Sequence, residues 1–500
     1  MSLVVRILGI WLAYEVVRHF VVRWLRRRFQ ESAADFVRRH RIQMESARFI
    51  DRIWIRERLA QDPTIEAAVV EATRKSDLTL REVRRKVDAY VEEIAPFFSM
   101  SAYYRFGATI ARRMVDFAFE MVVEPGGFER QARDVPPEAV RVYVINHRAN
   151  MDPLILAYGL LRHVPMSYAV GEWALVWPLS WLFRMFGSYF VRRGERDPLY
   201  HVVLERFVQL IAGQGAVTGF FIEGGLSRDG ALRAPKTGLL DYIVKLRRDQ
   251  PDREIVFMPV GLNYDRVLED RILTREKDGP LPKPTLPERL LNLGALAFWI
   301  PVLVAANLVK VASGSHRKLG NAAVWFGEPL ALTDWPGGEG LHALDDEPRR
   351  EAMQALGEEL LYRRIGAVVP ATVVPVFASA FLEEGPEDDG SVRDRIRATL
   401  RRLRETGAPL AFGAAFASIE GRRASPHEGA SITHDLDATI LDAEEAEQVH
   451  LLASMTLLRR RILRRVETPT GRGLELTDGS EDVLRYYALS ISHHLASSPA

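Results

Sequence analysis

The residues best suited to chemistry are His147 and Asp152, five positions apart in NHRANMDPL (Asn146–Leu154) and directly behind the apolar run Val142–Ile145. A hydroxyl attacks a carbonyl poorly until a base takes its proton, and histidine is the side chain whose ordinary pKa lies near neutrality. A carboxylate bonded to the other ring nitrogen would fix the tautomer and stabilise the imidazolium, while a substrate hydroxyl stands where a triad enzyme keeps its serine. The spacing constrains the backbone: five residues of helix advance by roughly 500°, so a turn must separate the two side chains if they are to meet. Asp152 is a good N-cap and Pro153 a good first helical residue, which would start the helix after the pair. The plainer reading is a hydrogen-bonded turn histidine beside an ordinary helix cap.

The elements around the pair alternate. Strand-like runs at Val140–Ile145, Met166–Val170, Tyr189–Val191, Val217–Ile222, Ile255–Leu262 and Ala322–Phe326 are separated by helical patterns such as Leu154–Arg162, Pro198–Ala212 and Thr237–Arg248. This predicts an α/β fold with a mostly parallel or mixed sheet over residues 126–333. Residues 1–125 and 334–500 read as helical flanks, the second entered through a Gly-, Asp- and Pro-rich linker (Asp334–Glu347) and broken by polar loops at Glu384–Ser391 and Gly421–Gly429. Basic stretches at Arg397–Arg404 and Arg459–Arg465 read as solvated or lipid-facing helix surfaces.

Two segments bear on membranes. Residues 2–25 are apolar but interrupted by Arg6, Glu15, Arg18, His19 and Arg23, and Arg26–Arg28 follow. That pattern favours an interfacial helix over a spanning one, since each charge is costly at a bilayer centre; a buried amphipathic helix is the other reading. Leu290–Val309 carries no charged residue and is long enough to span. Its place between two strand patterns of one domain favours a membrane-facing or re-entrant hairpin broken at Pro301, with a buried core helix as the alternative.

Composition excludes more than it names. Lys and Arg number 67 against 66 Asp and Glu, a net charge of +1 that argues against nucleic acid as a partner. With no cysteine, a thiol nucleophile and Cys-based metal sites are ruled out, and the 12 histidines form no recognisable ligand cluster. Gly213-Gln214-Gly215 lacks the rest of a dinucleotide fingerprint, and Gly225–Asp229 misses the last glycine of a nucleophile elbow.

The succession NHRANMD, GSYFVRR (Gly187–Arg193), FIEGGLSRDG (Phe221–Gly230) and FMPVGLNYDRVLE (Phe257–Glu269) resembles the four blocks of the glycerolipid acyltransferases. LRAPKTGLL (Leu232–Leu240), the pattern around Asn263-Tyr264-Asp265 and the long flanks look most like the membrane-type glycerol-3-phosphate acyltransferases of bacteria, to which the peroxisomal dihydroxyacetone-phosphate acyltransferases are close. The specific match runs over residues 140–270. It implies acyl transfer from acyl-CoA or acyl-carrier protein to the sn-1 hydroxyl of glycerol 3-phosphate, without a cofactor, by an enzyme on membrane lipid at the cytoplasmic face of the plasma membrane. It also implies catalytic roles for His147, Asp152, Glu223 and Gly224, with backbone amides near Gly224 and Gly225 facing the oxyanion, and an acceptor-binding set of Arg192, Arg193, Ser227, Arg228 and Lys236. One departure stands out: the family usually has arginine where this chain has Leu226, and a basic residue where it has Ala231. The same chemistry on another acceptor, such as dihydroxyacetone phosphate or a lysophospholipid, and a non-catalytic lipid-binding scaffold are the competing expectations.

Overall fold

The computed structural model describes residues 52–95, 108–160, 166–171, 188–192, 194–277, 279, 317–381, 387–424 and 431–496. The expected amino-terminal anchor, the stretch Leu290–Val309 and Arg193 lie outside the described residues. Among the described residues no helix is long and apolar enough to cross a membrane.

Among the described residues eight strands form one sheet: β1 (Glu120–Val123), β2 (Val140–Ile145), β3 (Met166–Gly171), β4 (Tyr189–Val191), β5 (Val217–Phe221), β6 (Ile255–Tyr264), β7 (Asn321–Phe326) and β8 (Leu330–Ala331). Their order is β1-β7-β6-β2-β5-β3-β4, with β8 also on β6. The block β6-β2-β5-β3-β4 is parallel throughout, and β7 turns antiparallel on β6. Parallel neighbours need crossovers, supplied by the helices Asp152–Leu160, Pro198–Gly213 and Gly238–Val244. Helices on both faces bury the sheet twice, which is why β6 reads as a nearly unbroken apolar run and all ten of its residues are buried. On β2, Val140, Val142 and Val144 face one apolar cluster while Tyr143 and Ile145 face the other. With five parallel strands aligned, their carboxyl ends open on one edge, the usual place for a site in such a sheet.

The helical flanks differ from expectation in two places. β1 lies within the expected helical region and pairs in parallel with β7, Glu120 opposite Asn321. A four-residue edge strand is too short to show alternation, and its partner lies far along the chain. In the carboxyl-terminal region Glu387–Asp388, Leu463–Thr468 and Gly471–Leu476 form a three-stranded antiparallel sheet. The basic stretch at 459–465 is not one helix surface. Its helix ends at Arg459, Arg460 is drawn onto Asp270 (2.5 Å), and Arg461 at φ 54° turns the chain into the hairpin. Arg401 and Arg404 likewise pair with Asp442. The helices Val373–Phe381, Asp389–Glu405 and Glu481–Leu489 share one apolar cluster with β2, β6 and β7.

Candidate active site

β2 ends where Asn146 replaces the strand ladder with its side chain: its amide donates to the Leu262 carbonyl (3.0 Å) and its oxygen accepts from the Leu262 N–H (2.8 Å). The chain then turns, and His147 Nδ1 meets Asp152 Oδ2 at 2.8 Å. The same oxygen accepts from the N–H groups of Arg148 (2.7 Å) and Ala149 (3.1 Å), and Oδ1 accepts from the Tyr264 hydroxyl (2.5 Å). Asp152 thus folds the turn that presents the histidine. It is the first residue of its helix rather than the residue before it, and its carboxylate reaches back to the loop instead of capping the helix. The imidazole stacks on Phe221, with centroids 4.0 Å apart and planes 11° from parallel. His147 is 6% exposed and Asp152 is fully buried.

Glu223 follows β5 and is buried. Its two oxygens accept from the N–H of His147 (2.9 Å) and of Arg233 (2.8 Å), so one carboxylate joins the His147–Asp152 turn to the loop Phe221–Gly230 and its continuation. Burial pushes its pKa up, against the pull of Arg148 and of those two N–H bonds. Ser227 N–H closes the same junction on the His147 carbonyl (3.2 Å). Gly224 sits at φ 64°, where a Cβ would come 2.7 Å from the Lys236 side chain. Its N–H is already taken by the Phe221 carbonyl (3.0 Å). Of the two amides expected to face an oxyanion, only that of Gly225 is without a partner among the described groups.

The expected acceptor set divides. Ser227 is wholly buried, its hydroxyl donating to the Ala231 carbonyl (2.7 Å) and accepting from Gly230 N–H (3.0 Å), so it builds the loop rather than facing a ligand. Arg192 is gripped by Glu93 (2.7 and 2.5 Å) and Glu195 (2.9 Å) between the rings of Tyr90 and Tyr200. Its charge is neutralised, and the bonds to Glu93 raise its pKa further. Arg228 is 42% exposed in its side chain and only loosely paired, 3.7 Å from Glu276. Lys236 is exposed.

Several contributors are absent from the sequence reading. Tyr264 completes the dyad. Arg148, 1% exposed, donates to the carbonyls of Gly230 and Ser490, and its own carbonyl accepts from the Tyr486 hydroxyl (3.2 Å). Nothing local could flag these roles, because the partners of Arg148 lie 82 and 342 residues away. Beside the dyad, His147, Ala169, Val170, Val191, Phe221 and Leu239 line a cavity of about 90 Å³ whose walls are mainly apolar. Among the described residues no group of His, Cys, Asp or Glu could hold a metal ion.

A family profile described as Acyltransferase matches residues 129–263, from before the dyad to the end of β6. Over that span the chain is similar to the acyltransferases that the profile describes. Among curated proteins it is 32% identical over 286 residues to a glycerol-3-phosphate acyltransferase of Xylella fastidiosa strain M23, covering 55% of this chain and 30% of that one. A glycerol-3-phosphate acyltransferase of Aeromonas hydrophila is 28% identical over 356 residues, covering 69% and 41%. The chain therefore spans well under half the length of these relatives. Among solved structures, the 1-acyl-sn-glycerophosphate acyltransferase of Thermotoga maritima covers 59% of this chain and 88% of its own at 15% identity and a TM-score of 0.28, an overlap too slight to bear weight. His147, Asp152, Glu223 and Gly224, with the strands that precede them, all fall within the matched span.

Proposed function

We propose that the protein transfers a fatty acyl group from an acyl thioester to the sn-1 hydroxyl of glycerol 3-phosphate, giving a lysophosphatidic acid. The observation that carries this reading is the 2.8 Å contact of His147 Nδ1 with Asp152 beside an apolar cavity. With Nδ1–H directed at the carboxylate, Nε2 keeps its lone pair and takes the proton as the acceptor oxygen attacks the thioester carbonyl. Asp152 holds the resulting imidazolium, and the tetrahedral oxyanion finds a donor in the free N–H of Gly225. Collapse expels the thiolate, which recovers the proton from His147, so no cofactor and no covalent enzyme intermediate are needed. The apolar walls suit the acyl chain. Acyl-CoA and acyl-carrier protein present the same thioester and serve equally as donor. Of the acceptor set expected from the sequence, Arg228 and Lys236 are the described cations not held in a closed ion pair. The apolar stretches 2–25 and 290–309, read from the sequence, support a workplace at the cytoplasmic face of the plasma membrane, where the lipid product is delivered.

The test is turnover by the full chain in detergent, with labelled acyl-CoA and a panel of glycerol 3-phosphate, dihydroxyacetone phosphate, lysophospholipid and unphosphorylated alcohols. Glycerol 3-phosphate should be acylated at the sn-1 oxygen, and His147→Ala should abolish transfer with its melting curve intact. Normal turnover by His147→Ala would remove the base from the mechanism. Acylation of an unphosphorylated alcohol alone would remove the acceptor.

A further inference from the structure

The reading above leaves a deficit: two positions at which the resembling enzymes carry a cation are Leu226 and Ala231 here, Arg192 is neutralised and Ser227 is buried within its loop. The structure returns a guanidinium to that loop from another position. Arg233 Nη1 donates to the carbonyl of Leu226 (2.9 Å), the residue that lacks the arginine. Its backbone N–H is bonded to Glu223 Oε2 (2.8 Å), the carboxylate whose other oxygen holds the His147 N–H (2.9 Å). Arg233 is half-buried, and among the described residues its guanidinium meets no carboxylate. Arg192, by contrast, is saturated by two carboxylates, and Arg228 shares its charge with Glu276.

From this we infer that Arg233 binds the phosphate of the acceptor and supplies the cation missing at Leu226. The inference rests on the acceptor being phosphorylated. A guanidinium that spends one N–H on a neutral carbonyl has four more, and a full charge, for a planar fork of phosphate oxygens. Its backbone anchor is the one that fixes the catalytic turn. The phosphate is thereby held at a set offset from His147, which selects which hydroxyl of a short polyol reaches the base. Leucine at 226 can then turn its side chain into the apolar cluster it packs against.

The experiment compares the full-chain wild type with Arg233→Ala, Arg233→Gln, Arg233→Lys and the double variant Leu226→Arg/Arg233→Ala. It measures kcat, KM for glycerol 3-phosphate, KM for acyl-CoA and the melting temperature. Arg233→Ala should raise the acceptor KM by about ten- to a hundredfold, the loss of one charge-assisted contact, while the donor KM stays put. Arg233→Gln can keep a bond to the Leu226 carbonyl without the charge, so it separates phosphate binding from loop structure if the alanine variant fails to fold, and it too should raise the acceptor KM. Arg233→Lys should recover part of the loss, and Leu226→Arg should recover more. An acceptor KM unchanged in Arg233→Gln overturns the inference and leaves the proposed function standing, as does a rise in the donor KM alone, which would assign the cation to the phosphates of acyl-CoA. A wild type that acylates only an unphosphorylated alcohol overturns both.

Discussion

Glu223→Gln separates what the buried carboxylate does for the site from what it does for the fold. In the wild type each oxygen accepts one backbone N–H, from His147 and from Arg233. A glutamine has one acceptor oxygen, so one of the two N–H groups must face an amide NH₂ instead. A backbone donor to a charged acceptor is worth about 1.5–3 kcal/mol. If that is lost from the placement of His147 in the transition state, kcat falls by about ten- to a hundredfold at 1.36 kcal/mol per decade. Stability should respond differently. Burial raises the Glu223 pKa, so ionising this group in the folded state costs free energy. A carboxyl with a raised folded pKa contributes stability that is full below its unfolded value and is lost as pH rises through the folded one. The variant lacks that loss, so any stability advantage of the wild type should shrink as pH increases, even while its advantage in kcat persists. The assay is steady-state turnover beside chemical denaturation, both over a pH series. A Glu223→Gln enzyme with wild-type kcat would refute the positioning role, and a stability gap that widens with pH would refute the electrostatic argument.

Arg192→Ala is expected to act on structure rather than on substrate. It strands Glu93 and Glu195, so the melting temperature should fall by the equivalent of about 1–3 kcal/mol while the glycerol 3-phosphate KM moves little; a large selective rise in that KM would return Arg192 to the acceptor site. Asp265, fully buried with its oxygens on the N–H groups of Val374 (2.9 Å) and Asn321 (2.8 Å), has its pKa pushed up to about 6 by burial. Its contribution to stability is therefore full below the ordinary aspartate value and is lost as pH rises from there through about 6, so Asp265→Asn should flatten the pH dependence of unfolding across that window, as followed by denaturant titration.

The meeting of His147 with Asp152 was legible because it is written in local sequence. The turn needs Asp152 five residues after His147 and a helix that starts beside it, one residue earlier than Pro153, and the strand behind it is an apolar run that a doubly covered sheet explains. Strands β2 and β4 match their expected bounds, and β6 extends two residues further, as far as the tyrosine that meets Asp152. What stayed hidden depends on contacts between distant residues. An arginine after a strand is equally compatible with a phosphate or with Glu93, 99 positions earlier, and the chain itself does not say which. A serine in a glycine-rich loop looks available until the loop is seen to close on its hydroxyl. Arg233 carried no mark beside Arg228 and Lys236, because its value comes from where Glu223 anchors it.

That dependence on distant contacts extends beyond the matched span. Asn263, at the end of β6, donates to the Pro370 carbonyl (2.9 Å) and the Ser490 hydroxyl (3.2 Å), and Asp265 accepts from Val374. Arg148 reaches Ser490 from the catalytic turn itself, and the backbone of Tyr486 approaches Gly230 so closely that an added Cβ would lie 1.8 Å from its carbonyl oxygen. The buried charge of Arg148 is offset by Glu223 and by carbonyls from two loops, one of them carboxyl-terminal. A dyad on a short turn has little rigidity of its own, since the six residues between strand and helix cannot bury an apolar face. In this chain the rigidity comes from Asp152 within the turn, from Glu223 across the sheet edge and from the helix Glu481–Leu489 with its following turn behind Arg148. The carboxyl-terminal helices are thus part of the wall against which His147 and Asp152 are set, although none of their residues falls within the span matched by the acyltransferase profile.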